Sequence, residues 1–465
     1  MAIATHEAGT AEVVDAGESC RAAWPHVGQL MEHISGRRAV ALPPPVDDVR
    51  RTELPHGLRV LTDSVPGSNA ATLAVWVGVG GRDETEEHSG ASHFLEHLLF
   101  KGTERRSARD LAAGIDEVGG DMNAYTSSEY TSFYARVPAV EIDTALDMLL
   151  DVVAAPALRA EEFDAEREVI LEELAAAEDD PEDVVGVRLF EALFPGHPLG
   201  REVLGTSMSI SGMTRDDVAA FFGNFYRPCN LVVTCAGAVD HDRLAEQVAI
   251  RLDNDPVGER PLRSSPGQAV SAVIIEHDPG ELVHMSWGWR TAGARDEDRY
   301  ALAVLNHVLG AGPSSRLFQT VREEHGLTYS IGSAVSQYTD AGVLSVACAT
   351  TPSKALRVVD LVHGELARLA GGGVSAEELA RAQRSMPRIV AARVGGHEHP
   401  RCTPRSLRDP ARTGELAAGT SGLRRRDRSR CRRFARPSDL RRRRGPLDRG
   451  SGRPGRPGGR PDLTG

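Results

Sequence analysis

The sequence has no run of eighteen apolar residues, about the least that a membrane-spanning helix needs. Its first 21 residues hold four acidic residues and one arginine and lack an apolar core, unlike a secretory signal or a mitochondrial presequence. No C-x-x-C pair occurs among the six scattered cysteines, Cys20, Cys229, Cys235, Cys348, Cys402 and Cys431. Because scattered cysteines are typical of free thiols in a reducing compartment, we expect a cytoplasmic protein that does not contact a membrane.

The 465 residues, of which 41% are hydrophobic and 26% charged, are enough for two or three folded domains. Residues 1–48 are polar and irregular and are predicted to be a flexible extension. Strand-like and helix-like patterns mix over residues 49–254, and after a linker at residues 255–267 a similar series begins again over residues 268–390. This order predicts an α+β fold of two related units, each a mixed sheet with helices packed on it.

The run HFLEH at residues 93–97 is the strongest candidate for a functional site. On a helix, residues four apart project from one face, so His93 and His97 can take two corners of a tetrahedral zinc site. Glu96 lies on the same side and is placed to accept a proton from water there. The corresponding stretch of the second unit reads LNHVL at residues 305–309, which predicts one zinc ion per chain.

The acidic segment at residues 160–178 predicts a second helix of the site, because apolar residues recur in it at helical spacing. Glu166 and Glu173 are two helical turns apart and share a face, whereas Glu172 points away from it. Glu173 would complete a two-histidine, one-glutamate site, and Glu166 would orient a ligand. The alternative is that the helix only exposes a solvated acidic face, as most glutamate-rich helices do.

The tail at residues 391–465 differs from the rest of the chain. It holds 21 arginines and seven carboxylates, a net charge of +14, although the whole chain carries −12. Arginine, glycine and proline dominate it without helical or strand periodicity, so it is predicted to be disordered. We favour a shifted reading frame in a GC-rich gene, which would leave the second unit incomplete. The alternative is a basic arm for nucleic acid, which the single aromatic residue, Phe434, argues against.

Several segments along the chain, besides HFLEH, form a recognisable series. EREVILEE stands at residues 166–173, GGDMNAYT at residues 119–126, GAGPSSRLFQ at residues 310–319 and VREEHGLTYS at residues 321–330. With H-x-x-E-H, the reverse of the commoner H-E-x-x-H order, this series resembles the pitrilysin, or M16, family of zinc peptidases. Within the family it is most similar to the bacterial homologues of mitochondrial processing peptidase.

The resemblance implies a role for each candidate residue. It implies that zinc binds His93, His97 and Glu173, that Glu96 is the general base and that Glu166 supports the site.

The resemblance also implies four substrate-binding residues in this chain. Asn123 and Ala124 would belong to an edge strand that pairs with the peptide main chain. Arg322 and Tyr329 match a pair that contacts substrate near the scissile bond and that the second unit of a partner chain supplies. Without the resemblance, an arginine and a tyrosine at this spacing would be interpreted as structural.

The implied function is that of a zinc-dependent endopeptidase, a homodimer that cleaves peptides or unfolded, presequence-like segments. One alternative is a non-catalytic subunit that holds peptides or a partner peptidase, although the intact ligand set argues against it. The other is a zinc-binding protein that contacts nucleic acid through its basic tail.

Overall fold

The structure is a computed structural model that describes residues 2–4, 12–15, 49–252, 260–268, 272–277 and 280–395. Its strands are β1 (Ala2–Ala4), β2 (Glu12–Asp15), β3 (Val49–Glu53), β4 (Arg59–Ser64), β5 (Ala70–Val77), β6 (Asp121–Thr126), β7 (Thr131–Pro138), β8 (Leu231–Gly237), β9 (Ala272–Ile275), β10 (Val283–Thr291), β11 (Ile331–Gln337) and β12 (Gly342–Thr350). Its helices are α1 (Ala91–Leu99), α2 (Ala108–Glu117), α3 (Ile142–Ala154), α4 (Ala160–Glu178), α5 (Pro181–Leu193), α6 (Ser207–Gly212), α7 (Arg215–Phe225), α8 (His241–Leu252), α9 (Arg299–Leu309), α10 (Pro352–Gly372) and α11 (Ala376–Gly395), and a π-helical segment spans Phe318–Glu324.

The described strands form two six-stranded mixed sheets. The first has the order β3-β4-β8-β5-β7-β6, with β4 and β8 parallel and all other neighbours antiparallel. The second has the order β2-β9-β1-β10-β12-β11, with β1 and β9 parallel and all other neighbours antiparallel. The α+β fold predicted from the sequence is therefore confirmed.

The larger hydrophobic core lies between the first sheet and its helices. Helix α1 buries Phe94, Leu95 and Leu98 in it, and α3, which packs on β5 and β7, buries Leu146 and Leu149. Burial of each such side chain stabilises the folded state by about 1.5–3 kcal/mol, before the entropy cost of ordering the side chain is subtracted. This packing fixes α1, the helix that carries HFLEH, next to β6 and α4.

Helix α5 belongs to the first unit but packs on β10 of the second sheet. Its Leu189 and Leu193 form an apolar cluster with Ala341 and Val343 of the second unit. Gly288 of β10 permits this close approach, because a Cβ atom there would come within 2.8 Å of both leucine side chains. The two units thus share an apolar contact as well as a chain connection.

Buried charges join the same two units. The guanidinium of Arg82, whose side chain is 1% exposed, donates to Glu129 Oε1 and to Asp340 Oδ1, each at 2.6 Å. It also donates to the carbonyl oxygen of Ser264 at 2.7 Å. Arg263 beside it bonds both carboxylate oxygens of Asp83 at 2.7 Å. The described part of the linker, residues 260–267, is therefore held between the two units.

The structure differs from the sequence prediction at both ends of the chain. Strands β1 and β2 lie within the predicted flexible extension, residues 1–48, and pair in the second sheet. Runs of three and four residues are too short for an alternating pattern to reveal them. Helix α11 continues past Pro387 to Gly395, five residues beyond the predicted end of the second unit. Residues 396–465, most of the predicted tail, lie outside the described residues.

None of the described helices is both long and apolar enough to cross a membrane.

Candidate metal centre and substrate cavity

Helix α1 begins at a buried turn that a carboxylate holds in place. Glu84 accepts hydrogen bonds from the backbone N–H groups of Gly90 at 2.8 Å and Ser92 at 2.7 Å. Burial raises the pKa of Glu84, while these two donors act in the opposite direction. Gly90 has φ +92°, and a Cβ atom there would lie 2.6 Å from the carbonyl oxygen of Leu204. A glycine and a buried carboxylate therefore fix the start of a nine-residue helix.

His93, His97 and Glu173 converge on one point between α1 and α4. The imidazole centroids lie 4.7 Å apart, and Glu173 Oε2 is 3.7 Å from His93 Nε2 and 3.5 Å from His97 Nε2. One ligand atom from each residue lies within 4.8 Å of the other two. Ligand atoms about 2.0–2.2 Å from a tetrahedral zinc ion are roughly 3.3–3.6 Å apart, so this donor set fits zinc after a small contraction.

Helix α4 also places Glu166 against the site. Glu166 Oε2 lies 3.0 Å from His97 Nδ1, and its Oε1 lies 2.6 Å from Lys101 Nζ. Since the carboxylate accepts, the imidazole donates from Nδ1 and keeps Nε2 free as a ligand. The ring of Phe163 stacks on Phe94 at 4.4 Å and fixes α4 against α1.

Burial sets the charge states in this cluster. It lowers the pKa of His93 to about 4, with a smaller contribution from the positive charge of His97. His93 is therefore neutral near pH 7, and its ring nitrogen can bind a metal without first losing a proton.

Glu96 is held from the opposite side, by the first sheet. The hydroxyl of Thr126, the last residue of β6, donates a short hydrogen bond to Glu96 Oε2. Burial raises the pKa of Glu96, although this hydrogen bond and the charge of His97 counteract the effect. A carboxylate with a raised pKa, fixed by one hydrogen bond, is suited to general base chemistry.

A cavity of about 2130 Å³ opens over these residues, and His93, Glu96, Thr126 and, from the second unit, Tyr338 line it. Carboxylates dominate its charged lining: Glu86, Glu87, Glu96, Glu178, Glu182, Asp183, Glu191, Glu202, Asp217 and Glu276. The arginines among its lining residues are Arg188 and Arg201. The cavity therefore presents a negative potential to a ligand.

Among the described strands, β6 forms one edge of the first sheet and pairs on one side only, with β7. Ala124 lines the cavity, and the side-chain oxygen of Asn123 accepts a hydrogen bond from Ala124 N at 2.8 Å. The structure thus places Asn123 and Ala124 on an edge strand beside the metal-ligand candidates. Such an edge can pair with the backbone of an extended peptide.

Arg322 and Tyr329 lie elsewhere on the second unit, and neither lines the cavity. Tyr329 is 88% exposed, and the Arg322 guanidinium carbon lies 5.4 Å from its ring centroid and 4.6 Å from that of Phe318. Within one chain, this pair therefore lies outside the cavity that His93 and Glu96 line.

Sequence reasoning missed Glu84 and Thr126. Thr126 lies within the GGDMNAYT run, but nothing in that run shows that its hydroxyl reaches Glu96. Glu84 precedes His93 by nine residues, and no spacing rule relates a carboxylate there to the start of the helix. Both contacts depend on the tertiary fold.

The fold and the site define a two-unit α+β protein with two histidines and a glutamate that could hold a metal ion and a second glutamate nearby. Residues 59–207 match the family model described as insulinase, peptidase family M16, and residues 212–386 match that of the peptidase M16 inactive domain. The chain belongs to peptidase family M16. The narrower branch stays a prediction.

Relatives of similar length carry related names. The chain is 43% identical to an uncharacterised zinc protease of Mycobacterium leprae, over 73% of this chain and 77% of that protein. It is 42% identical to one of Mycobacterium tuberculosis H37Rv, over 75% and 81%. It is 32% identical to one of Bacillus subtilis, over 73% and 82%.

Solved structures share the fold. A protease from Helicobacter pylori matches with a TM-score of 0.71 at 23% identity, over 75% of this chain and 86% of that chain. A peptidase M16 inactive domain from Pseudomonas fluorescens matches with a TM-score of 0.68 at 20% identity, over 74% and 84%.

The metal-ligand assignment predicts that Glu173→Gln lowers zinc affinity by about 100-fold or more, since even removal of a residue that only orients a ligand costs about 10–100-fold. Glu172→Gln is the matched control, because Glu172 is the exposed neighbour on the same helix. Competition of each purified variant with a fluorescent zinc chelator measures the affinity. Equal affinities would contradict the assignment of Glu173.

Proposed function

We propose that the chain is a zinc-dependent endopeptidase that hydrolyses peptide bonds in peptides or unfolded segments. The observation that supports this most is the convergence of His93, His97 and Glu173 beside Glu96, with His93 and Glu96 in the wall of a cavity that also borders an edge strand. Zinc, when bound, polarises the scissile carbonyl and lowers the pKa of water to about 7.

In this proposal Glu96 moves the proton. Thr126 holds its Oε2 atom, which leaves Oε1 to accept the proton of the attacking water. The raised pKa of Glu96 makes it a better base for this step, and the same carboxyl can then protonate the leaving amine. Glu166 keeps the His97 ring oriented throughout, and β6 holds the substrate backbone in extended form.

Glu96→Gln should therefore lower kcat for cleavage of a quenched fluorescent peptide by about 10²–10⁴-fold and leave zinc binding intact. Glu87→Gln, which removes another cavity carboxylate, is the control and should retain kcat within a few-fold. If the unaltered chain binds zinc but cleaves nothing, the non-catalytic peptide-holding subunit becomes the better interpretation.

The charge of the cavity favours cationic substrates. Most charged residues in its lining are carboxylates, so an arginine-containing, extended peptide gains attraction on entering it. This agrees with the presequence-like substrates that the family resemblance implied.

A quenched peptide with three arginines should consequently show a lower KM than the same peptide with glutamines in their place. The difference should shrink as the salt concentration is raised from about 0.02 to 0.5 M, because salt screens exposed charges. The matched peptide pair keeps length and side-chain size comparable. A KM ratio that does not change with salt would remove the electrostatic argument.

We include a homodimer in the proposal. Arg322 and Tyr329 are exposed and lie outside the cavity of their own chain, so a second copy would have to bring them to the scissile bond. There the two donors would suit the negative oxygen that develops on the attacked carbonyl.

The homodimer predicts complementation between two defective variants. A mixed dimer of Arg322→Ala and Glu96→Gln chains has one site with both Glu96 and a donated Arg322, so mixing should restore up to about a quarter of the activity. Glu96→Gln mixed with Glu173→Gln is the control, since both changes damage the first unit and no complete site can form. No restoration in the first mixture would contradict a shared site.

The cytoplasmic location remains part of the proposal and is supported by the free thiols of Cys229, Cys235 and Cys348. Nucleic-acid binding is not part of it, because the basic segment falls almost wholly outside the described residues.

A further inference from the structure

The two sheets contain the same strand position with different occupants. In the first sheet β8 lies between β4 and β5, parallel to β4 and antiparallel to β5. In the second sheet β1 lies between β9 and β10, parallel to β9 and antiparallel to β10. Position and strand directions agree, so β1 is the counterpart of β8.

The two counterparts come from opposite ends of their units. Strand β8 is the last strand of the first unit and leads into α8. In the second unit the described residues that follow β12 form α10 and α11 and no further strand. The position of the expected last strand is therefore filled by residues from the other end of the chain.

We propose that the gap between β9 and β10 is a strand-accepting site and that the N-terminal segment of this chain is the donor strand that occupies it. Backbone N–H and C=O groups that face such a gap need partners, and a single inserted strand satisfies both neighbours. This inference is independent of the proposed activity.

The pairing shows how the N-terminal segment is attached. Strand β1 aligns Ala2 with Ser286 and Ala4 with His284, and on its other side Ala2 with Ile274. Strand β2 then pairs along the far side of β9, from Glu12 opposite Ile275 to Asp15 opposite Ala272. The segment thus holds β9 from both sides.

The donor is shorter than the site. Strand β8 covers seven residues of β5, from Ala71 to Val77, whereas β1 covers three residues of β10. The register leaves residues 287–291 of β10 beyond the reach of β1. Since α5 packs on β10 and also lines the cavity, the donor strand stabilises a strand that supports the cavity wall.

A disulfide tests the pairing directly. Ala4→Cys with His284→Cys, in the full chain with an untagged N-terminus, should cross-link on mild oxidation, because directly opposed residues have Cβ atoms about 4.5–5.5 Å apart. Mass spectrometry of the digested protein identifies the linked pair despite the native cysteines. Ala4→Cys with Thr291→Cys, at the far end of β10, is the matched control. Cross-linking in neither pair or equally in both would overturn the proposal.

Hydrogen exchange of the segment 283–291 tests the occupant. Deletion of residues 2–15 should speed exchange in this segment, whereas deletion of residues 396–465 should leave it unchanged. The opposite result would show that the tail fills the gap, and the proposal would be wrong. No effect of either deletion would also overturn it, because the gap would then need no donor.

Discussion

The site depends on the fixed position of one short helix. Helix α1 has only nine residues, and its N-terminus is buried, so its first backbone N–H groups cannot be satisfied by water. Glu84 accepts two of them, and its negative charge also suits the positive end of the helix dipole. With the apolar face of α1 packed on the first sheet, the helix cannot rotate, and both imidazoles are aimed at the same point.

The second group of constraints comes from α4. Phe163 stacks on Phe94, and Ile170 and Leu174 are buried, so the carboxylates on the same side of α4 face α1. Glu166 is buried but paired with both His97 and Lys101, which reduces the cost of placing a charge there. Glu173, two turns further on, is the more exposed carboxylate and remains available to a metal.

Much of this arrangement could be predicted from helical periodicity. The spacing of four residues placed His93 and His97 on one face, and the spacing of seven residues placed Glu166 and Glu173 together, as the structure shows. The contacts of Glu84 and Thr126 could not be predicted, because they join residues whose distance in the fold is not encoded by a repeat. The same holds for β1 and β2, whose short segments gain their structure from β9 and β10.

The second unit carries no ligand candidates of its own among the described residues, yet it affects the chemistry through its contacts with the first. Arg82 loses its partner Asp340, and α5 loses the surface under Leu189 and Leu193, if the second sheet loosens. Arg82 would keep Glu129 as a partner, but a buried guanidinium that loses one of its two carboxylates is less well compensated, so the disturbance would extend to the loop that precedes α1. Glu84, the residue that fixes α1, lies two positions after Arg82 in that loop. The second sheet therefore supports the geometry of the candidate metal centre, although its strands are remote from the histidines in sequence.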